Sequence, residues 1–309
     1  MPQHPLWAGR NNGLCSAACR AVGSTGGALV RNPTKAPTKL VVKLGGALLD
    51  DARALSATIA AVSSLHHRKP GSVIIAHGGG STVDRHLARL GMKSEKRDGI
   101  RITPPDQMAE ISAVLNGQVN ATLVAQLLAQ GCSAVGLSLA DGFTTTASVA
   151  THYPFDPGCV GEITNGNARL LDTLLGAGFL PVLSSVAVDG DGHLLNVNAD
   201  DAAAALAKLV RATGLVFLTD VPGVRDGSGA VIEELNRSSA EQLILDGTIR
   251  AGMIPKVRSA IAAAEATGIS VIIASWNEPN LLDRIASGER VGSTILPPCC
   301  EERVTLSTP

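Results

Sequence analysis

Two short apolar runs, each ending in glycines, constrain this chain most. Leu40-Val41-Val42 leads into Lys43-Leu44-Gly45-Gly46, and Val73-Ile74-Ile75-Ala76 leads into His77-Gly78-Gly79-Gly80. Both runs are apolar on both faces. A helical stretch follows each: residues 50–67 after the first, and a helix from near Thr82 after the second. Strands of this kind, separated by helices, belong to a mostly parallel sheet covered on both sides, so the fold class is α/β. Further strand candidates are Ala134 to Leu139, Leu180 to Val186, Leu215 to Leu218 and Ser270 to Ala274. A long helix is predicted after Pro105, where Met108, Ile111, Leu115, Val119 and Leu123 recur at three- and four-residue steps. Residues 201–211 and 254–267 read as two more helices. Val188 to Leu194 reads as a hairpin with turn chemistry at Gly190 and Gly192.

Composition excludes several function classes. The 309 residues are 45% hydrophobic and 17% charged, which fits a globular chain with a sizeable core. Aromatics are few (Phe 4, Trp 2, Tyr 1), leaving little for a base-stacking platform. Residues 1–49 hold six Lys/Arg and no acid, while the remainder carries 20 basic and 27 acidic residues. That balance argues against nucleic acid as a partner. No run of 18 apolar residues lacks a charge, so no membrane-spanning helix and no membrane partner is expected. The six cysteines show no CxxC pair, and no histidine pair has zinc-site spacing, so reduced thiols are expected and no metal ligand is assigned.

Residues 1–37 read as an N-terminal extension, rich in Pro and Gly and without acids. A disordered tail, an organelle transit peptide and an over-long start all fit. A secretory signal does not, because Arg20 interrupts the apolar stretch. A composition shift near Thr213-Gly214 marks a boundary between two lobes.

The candidate chemistry lies at the strand ends. Lys43 closes an apolar strand, where it either meets an anion or snorkels off the strand end. Gly45, Gly46, Gly78 and Gly79 let backbone N–H groups approach a phosphate or carboxylate, at the ends of strands where ligands gather. An HGGG loop also serves some esterases, but no G-x-S-x-G elbow is present. Asn196, Asn198 and Asp200 place two amides and a carboxylate together, or simply cap a helix. Asp220-Val221-Pro222-Gly223-Val224 follows a strand and reads as a turn or a nucleotide contact. Lys256 follows Pro255 at a helix start, where a cation points to a bound anion or to solvent. Two lysines, two glycine-rich strand ends and an aspartate make a phosphoryl-transfer site without a P-loop, since no G-x-x-x-x-G-K-[ST] occurs.

In this order the residues resemble the amino-acid kinase family, from about Lys39 to about Leu296. The matching segments are Lys43-Leu-Gly-Gly, His77-Gly-Gly-Gly, Asp98-Gly-Ile-Arg101-Ile-Thr and Leu195-Asn196-Val-Asn-Ala-Asp200. Leu218-Thr-Asp220-Val-Pro-Gly223 and Gly252-Met-Ile-Pro-Lys256-Val complete the set. The Arg101 and Asn196–Asp200 segments are most specific to the branch that phosphorylates N-acetyl-L-glutamate. The resemblance implies a three-layer αβα sandwich. Its amino-acid lobe would span residues 38–212 and its ATP lobe 213–297, with a tail at 298–309.

The implied reaction is phosphorylation of the side-chain carboxylate of N-acetyl-L-glutamate, the second step of arginine biosynthesis, with ATP and Mg²⁺. The alternatives are another acid substrate within the family and a non-catalytic nucleotide or amino-acid sensor. By resemblance, Lys43 and Lys256 stabilise the phosphoryl group, and Asp200 holds both lysines. Gly78, Gly79, Arg101 and Asn196 bind the acid. Gly45, Gly46, Asp220, Val221, Pro222, Gly223, Val224, Arg225, Thr248, Ile249 and Arg250 line the nucleotide site. Arginine-inhibited members carry an amphipathic N-terminal helix, and residues 1–37 show no such pattern. An arginine-insensitive homodimer is therefore expected, in the cytoplasm, or in an organelle if residues 1–37 are a transit peptide.

Overall fold

The computed structural model describes residues 39–298 except Asp98 and Pro279. The expectations for residues 1–37, for 299–309 of the tail, for Asp98 and for Cys15, Cys19, Cys299 and Cys300 lie outside the described residues. Two strands open the described chain, β1 (Leu40–Leu44) and β2 (Val73–His77). A short antiparallel pair follows, β3 (Glu95–Arg97) and β4 (Ile100–Ile102). Next come β5 (Ala134–Ser138), β6 (Thr145–Val149), β7 (Val160–Gly166), β8 (Leu180–Ser184), β9 (Val186–Val188) and β10 (Leu194–Val197). The last four are β11 (Gly214–Thr219), β12 (Glu234–Leu235), β13 (Val271–Ser275) and β14 (Ser293–Ile295).

The main sheet has eight strands in the order β12-β14-β13-β11-β1-β2-β8-β5, parallel except between β13 and β14. A smaller sheet, β6-β7-β10-β9, carries the hairpin foreseen at 188–194, with Leu194 opposite Val188 and positive φ at Gly192. Gly190 lies outside the left-handed region, so only one of the two glycines supplies the left-handed turn residue.

Alternation along β1 explains why the sheet needs cover on both faces. Leu40, Val42 and Leu44 pack with Leu55, Ile59 and Val62 of the helix Ala52–Arg68 and with Ile111, Leu115 and Leu123. Val41 points the other way, into a core with Ala203 and Leu206 of the helix Ala199–Leu209 and Ile261 and Ala264 of the helix Met253–Thr267. Two apolar faces, each under helices, give the three layers. The described residues belong to one compact unit. The segments expected as lobes share the main sheet: β1, β2, β5 and β8 come from the first, and β11 to β14 from the second.

The helix foreseen near Thr82 starts at Gly80, and the one foreseen from residue 50 starts at Ala52, where the Asp51 carboxylate accepts from the N–H groups of Arg53 and Ala54. The helix after Pro105 runs to Ala129 with a π-helical stretch at Ala113–Val119. By length and composition it could cross a membrane, because residues 111–140 carry no charge, although Asn, Gln, Ser and Thr interrupt their apolar character. Met108, Ile111, Leu115, Leu123 and Leu127 of this helix are buried in the core below the sheet, as expected of a core helix.

Candidate active site

The carboxyl ends of β1 and β2 lie side by side, Leu44 opposite His77, so their glycine loops meet. A Cβ on Gly46 would lie 3.6 Å from the Gly80 nitrogen, and one on Gly79 would come 2.9 Å from Leu115 Cδ2. At Gly46 a Cβ would make ordinary contact, whereas at Gly79 it would require the Leu115 and Val119 side chains to shift. The helix Gly80–Arg89 begins at Gly79 with no side-chain cap, so its first N–H groups remain open to an anion.

Lys43 stands one residue before the end of β1. Its Nζ pairs with Asp200 Oδ1 at 2.7 Å, with the two side chains 18% and 19% exposed. Its Nζ also lies 5.7 Å from the centre of the Phe217 ring, on the neighbouring strand β11. Asp200 sits in the first turn of the helix Ala199–Leu209, where Asn198 accepts from its N–H at 2.7 Å. A carboxylate is favoured at that end of the helix dipole. The small sheet positions Asn196, which lies opposite Val160 of β7 and Val186 of β9 and donates from Nδ2 to Thr103 Oγ1 at 3.0 Å.

Arg101, on β4, is almost wholly buried. Its Nη1 donates to Asp84 Oδ1 and to Ser94 Oγ, and its Nη2 donates to the Gly80 carbonyl at 2.8 Å. A cavity of about 280 Å³ brings together Lys43, Gly45, Gly46, Gly78, Gly79, Arg101, Asn196 and Asp200. Lys96 and Ser185 also line it, and neither was singled out in the sequence. Lys96 carried a weak signal as part of a basic run just ahead of Arg101; Ser185 carried none. His77 is not in the cavity wall. It is buried, accepts at Nε2 from Asn120 Nδ2 (3.0 Å) and donates from Nδ1 to the Gly78 carbonyl (2.8 Å). Burial pushes its pKa down to about 4 despite the Gly78 bond, so the ring is neutral and structural.

The second lysine differs from expectation. Lys256 Nζ pairs with Asp220 Oδ1 at 2.7 Å and with Thr219 Oγ1 at 2.5 Å, not with Asp200. The first turn of the helix Met253–Thr267 meets the end of β11, and Asp220 is the residue that follows that strand. The hydrogen bonds from Lys256 and Thr219 hold the Asp220 carboxyl below its ordinary range. Asp200 therefore serves one lysine, and each lysine has its own carboxylate.

The remaining nucleotide candidates divide. Val221 and Pro222 are partly open, and Arg225 and Arg250 are exposed. The Arg250 side chain donates to the Gly247 carbonyl, and the Thr248 N–H donates to Asp246. A Cβ on Gly223 would come 2.7 Å from Ser293 Oγ. Val224 and Ile249 differ from open site residues: both side chains are buried in the core, and their N–H groups are used internally, by Ser293 Oγ and the Leu243 carbonyl. None of Lys256, Asp220 to Arg225 or Thr248 to Arg250 lines the 280 Å³ cavity.

Two paired lysines, uncapped helix starts and glycine-lined strand ends on a three-layer sheet define a P-loop-independent phosphotransferase. The amino acid kinase family matches residues 38–275, and the chain belongs to that family. Within it, the chain groups with the acetylglutamate kinases. The acetylglutamate kinase of Serratia proteamaculans (strain 568) is 44% identical over 259 residues, spanning 83% of this chain and 98% of the relative. That of Vibrio vulnificus (strain YJ016) is 42% identical, spanning 84% and 97%. Carbamate kinase from Giardia lamblia, solved with AMP-PNP, shares the fold at a TM-score of 0.60 and 20% identity, covering 85% of this chain and 100% of that one.

Proposed function

We propose that this chain transfers the γ-phosphoryl group of MgATP to the side-chain carboxylate of N-acetyl-L-glutamate, forming an acyl phosphate in arginine biosynthesis. The observation that carries the reading is the Lys43–Asp200 pair in a cavity walled by glycine loops, Arg101 and Asn196.

The chemistry asks little covalent work of the protein. The acceptor is a carboxylate, ionised at neutral pH, so no general base is needed. His77 agrees with that, since it lies outside the cavity wall with both ring nitrogens bonded within the protein. The task is to bring two anions together and to stabilise the charge of the group in flight. Lys43 supplies a cation at the junction, oriented by Asp200. Gly45, Gly46, Gly78 and Gly79 offer backbone N–H groups without side chains in the way. Arg101 and Asn196 take the α-carboxylate end of the acid, for which a guanidinium is suited by paired hydrogen bonds. Lys256, held by Asp220, faces the phosphates, with Val221, Pro222, Gly223, Arg225, Thr248 and Arg250 forming the nucleotide surround. Mg²⁺ enters as part of the substrate MgATP.

A hydroxamate assay for acyl phosphate tests the reading, with N-acetyl-L-glutamate set against L-glutamate, L-aspartate and carbamate. Product with N-acetyl-L-glutamate alone is expected. Product with another acid alone would keep the phosphotransferase and overturn the substrate.

We further propose a homodimer formed through β5. That strand is a free edge of the main sheet, and beside it the long helix leaves Leu128 54% exposed. An open strand edge beside an exposed leucine is a ready pairing surface for a second copy. Among the described residues Cys132 and Cys159 are free thiols, in keeping with the proposed cytoplasmic setting. Sedimentation velocity is expected to give two chains, with the rate unchanged by millimolar arginine. A hexamer, or half-inhibition at sub-millimolar arginine, would overturn this.

A further inference from the structure

Arg101 is held on three sides, by Asp84, Ser94 and the Gly80 carbonyl. Its side chain is 8% exposed, and an uncompensated guanidinium at that depth is costly. The compensation comes from Asp84, on the helix Gly80–Arg89, one turn beyond the glycine loop. Asp84 Oδ1 accepts from Arg101 Nη1 and from Ser94 Oγ at 2.6 Å, and Oδ2 accepts from Lys96 Nζ at 2.8 Å. Arg101, Lys96 and Gly80 line the cavity, whereas Asp84 stands behind them and does not. One carboxylate thus ties the glycine-loop helix, Ser94 and the β3–β4 hairpin to a common point.

We propose that Asp84 is a positioning residue for the acid substrate, holding Arg101 and Lys96 in the wall so that their free donors meet the α-carboxylate. The inference rests on the kinase reading above.

Donor counting supports it. A guanidinium has five N–H donors. Among the described residues, three Arg101 contacts are made, to Asp84, Ser94 and the Gly80 carbonyl. Two donors are left, the number that a carboxylate takes up in a paired contact. Asp84 is suited to a permanent role. Burial alone would raise its pKa, but the bonds from Arg101, Lys96 and Ser94 and the charge of Arg101 outweigh burial and hold it below the carboxylate range. It therefore stays charged throughout the working pH range. The opposite role is also definable. If Asp84 were instead a competitor that the substrate must displace from Arg101, removing its charge would improve substrate binding.

The experiment is steady-state kinetics of Asp84→Asn, which keeps the shape and one acceptor oxygen but loses the charge. The expected result is a KM for N-acetyl-L-glutamate raised roughly tenfold, in line with loss of a charge-assisted hydrogen bond, while kcat and the KM for ATP stay near wild type. Ser94→Ala, which removes only a hydroxyl, is expected to raise the same KM by a smaller factor. It carries the test should Asp84→Asn fail to fold. A lowered or unchanged KM for the acid overturns the inference, as does a fall in kcat with the acid KM intact. An active wild type with unaffected variants overturns this inference alone, whereas a wild type inactive on N-acetyl-L-glutamate overturns the kinase reading and the inference together.

Discussion

Lys43→Ala is expected to lower kcat by about two to three orders of magnitude, the loss seen when one preorganised stabiliser of transition-state charge is removed. Two effects act in the same direction. The ammonium that would offset the charge of the phosphoryl group in transfer is gone. The Asp200 carboxylate, 2.7 Å from that ammonium and only 19% exposed, is left facing an anionic reaction with no partner. The KM for each substrate is expected to change much less, because the strongest demand on Lys43 arises in the transition state. Initial rates at varied ATP and varied acid check this, with thermal unfolding to show that the variant is folded. A raised KM with kcat unchanged would move Lys43 to ground-state binding.

The second large effect is at the other end of the acid. Arg101→Ala is expected to raise the KM for N-acetyl-L-glutamate by roughly a hundredfold, since it removes a charge-assisted paired contact worth about 3 kcal/mol. The KM for ATP is expected to hold. The substitution also leaves Asp84 without its principal partner, although Lys96 and Ser94 remain bonded to it. For that reason Arg101→Lys is the better companion than a second deletion. A lysine can restore charge to Asp84 but cannot reproduce the fork that meets a carboxylate. It is expected to recover folding stability more than substrate KM. A loss of ATP affinity in either variant would place Arg101 in the nucleotide half instead.

The two variants probe parts of the site that differed in legibility. Lys43 and the glycine loops could be singled out from local residues alone. An apolar strand that ends in a lysine and two glycines either meets an anion or lets the lysine snorkel off the strand end, and the structure brings these residues to one cavity. Asp200 was readable as a helix-start carboxylate. The long helix after Pro105 was readable from its spacing, but its π-helical stretch was not. That stretch brings Asn116 to accept from Ser184 and leads directly into Asn120, which bonds His77. Periodicity carries no mark of a local one-residue expansion that is stabilised by contacts with a distant strand.

The partners of charged residues were the least legible part. Lys256 was expected to share Asp200 with Lys43, and it pairs with Asp220 instead. A sequence shows which residues carry charge, whereas pairing depends on where helix starts and strand ends meet. The burial of Val224 and Ile249 was not legible for a related reason. They sit in nucleotide-like segments, yet the core below β11 takes their side chains and their N–H groups. Asp84 was missed altogether, since nothing local distinguishes it from any other acid on a helix, one turn past its start.

The amino-acid sequence by itself determined the α/β class, the parallel character of the sheet and the two glycine-lined strand ends. Each of these follows from short-range rules: residues buried on both faces, the period of a helix, and the freedom of glycine. Only the tertiary structure decided that β1 lies between β11 and β2, which places two glycine loops and two lysine–carboxylate pairs at neighbouring strand ends. It also decided that Arg101 is anchored by Asp84. Strand order and ion pairing are set by contacts between segments far apart in the chain, where the packing of whole faces outweighs any local preference.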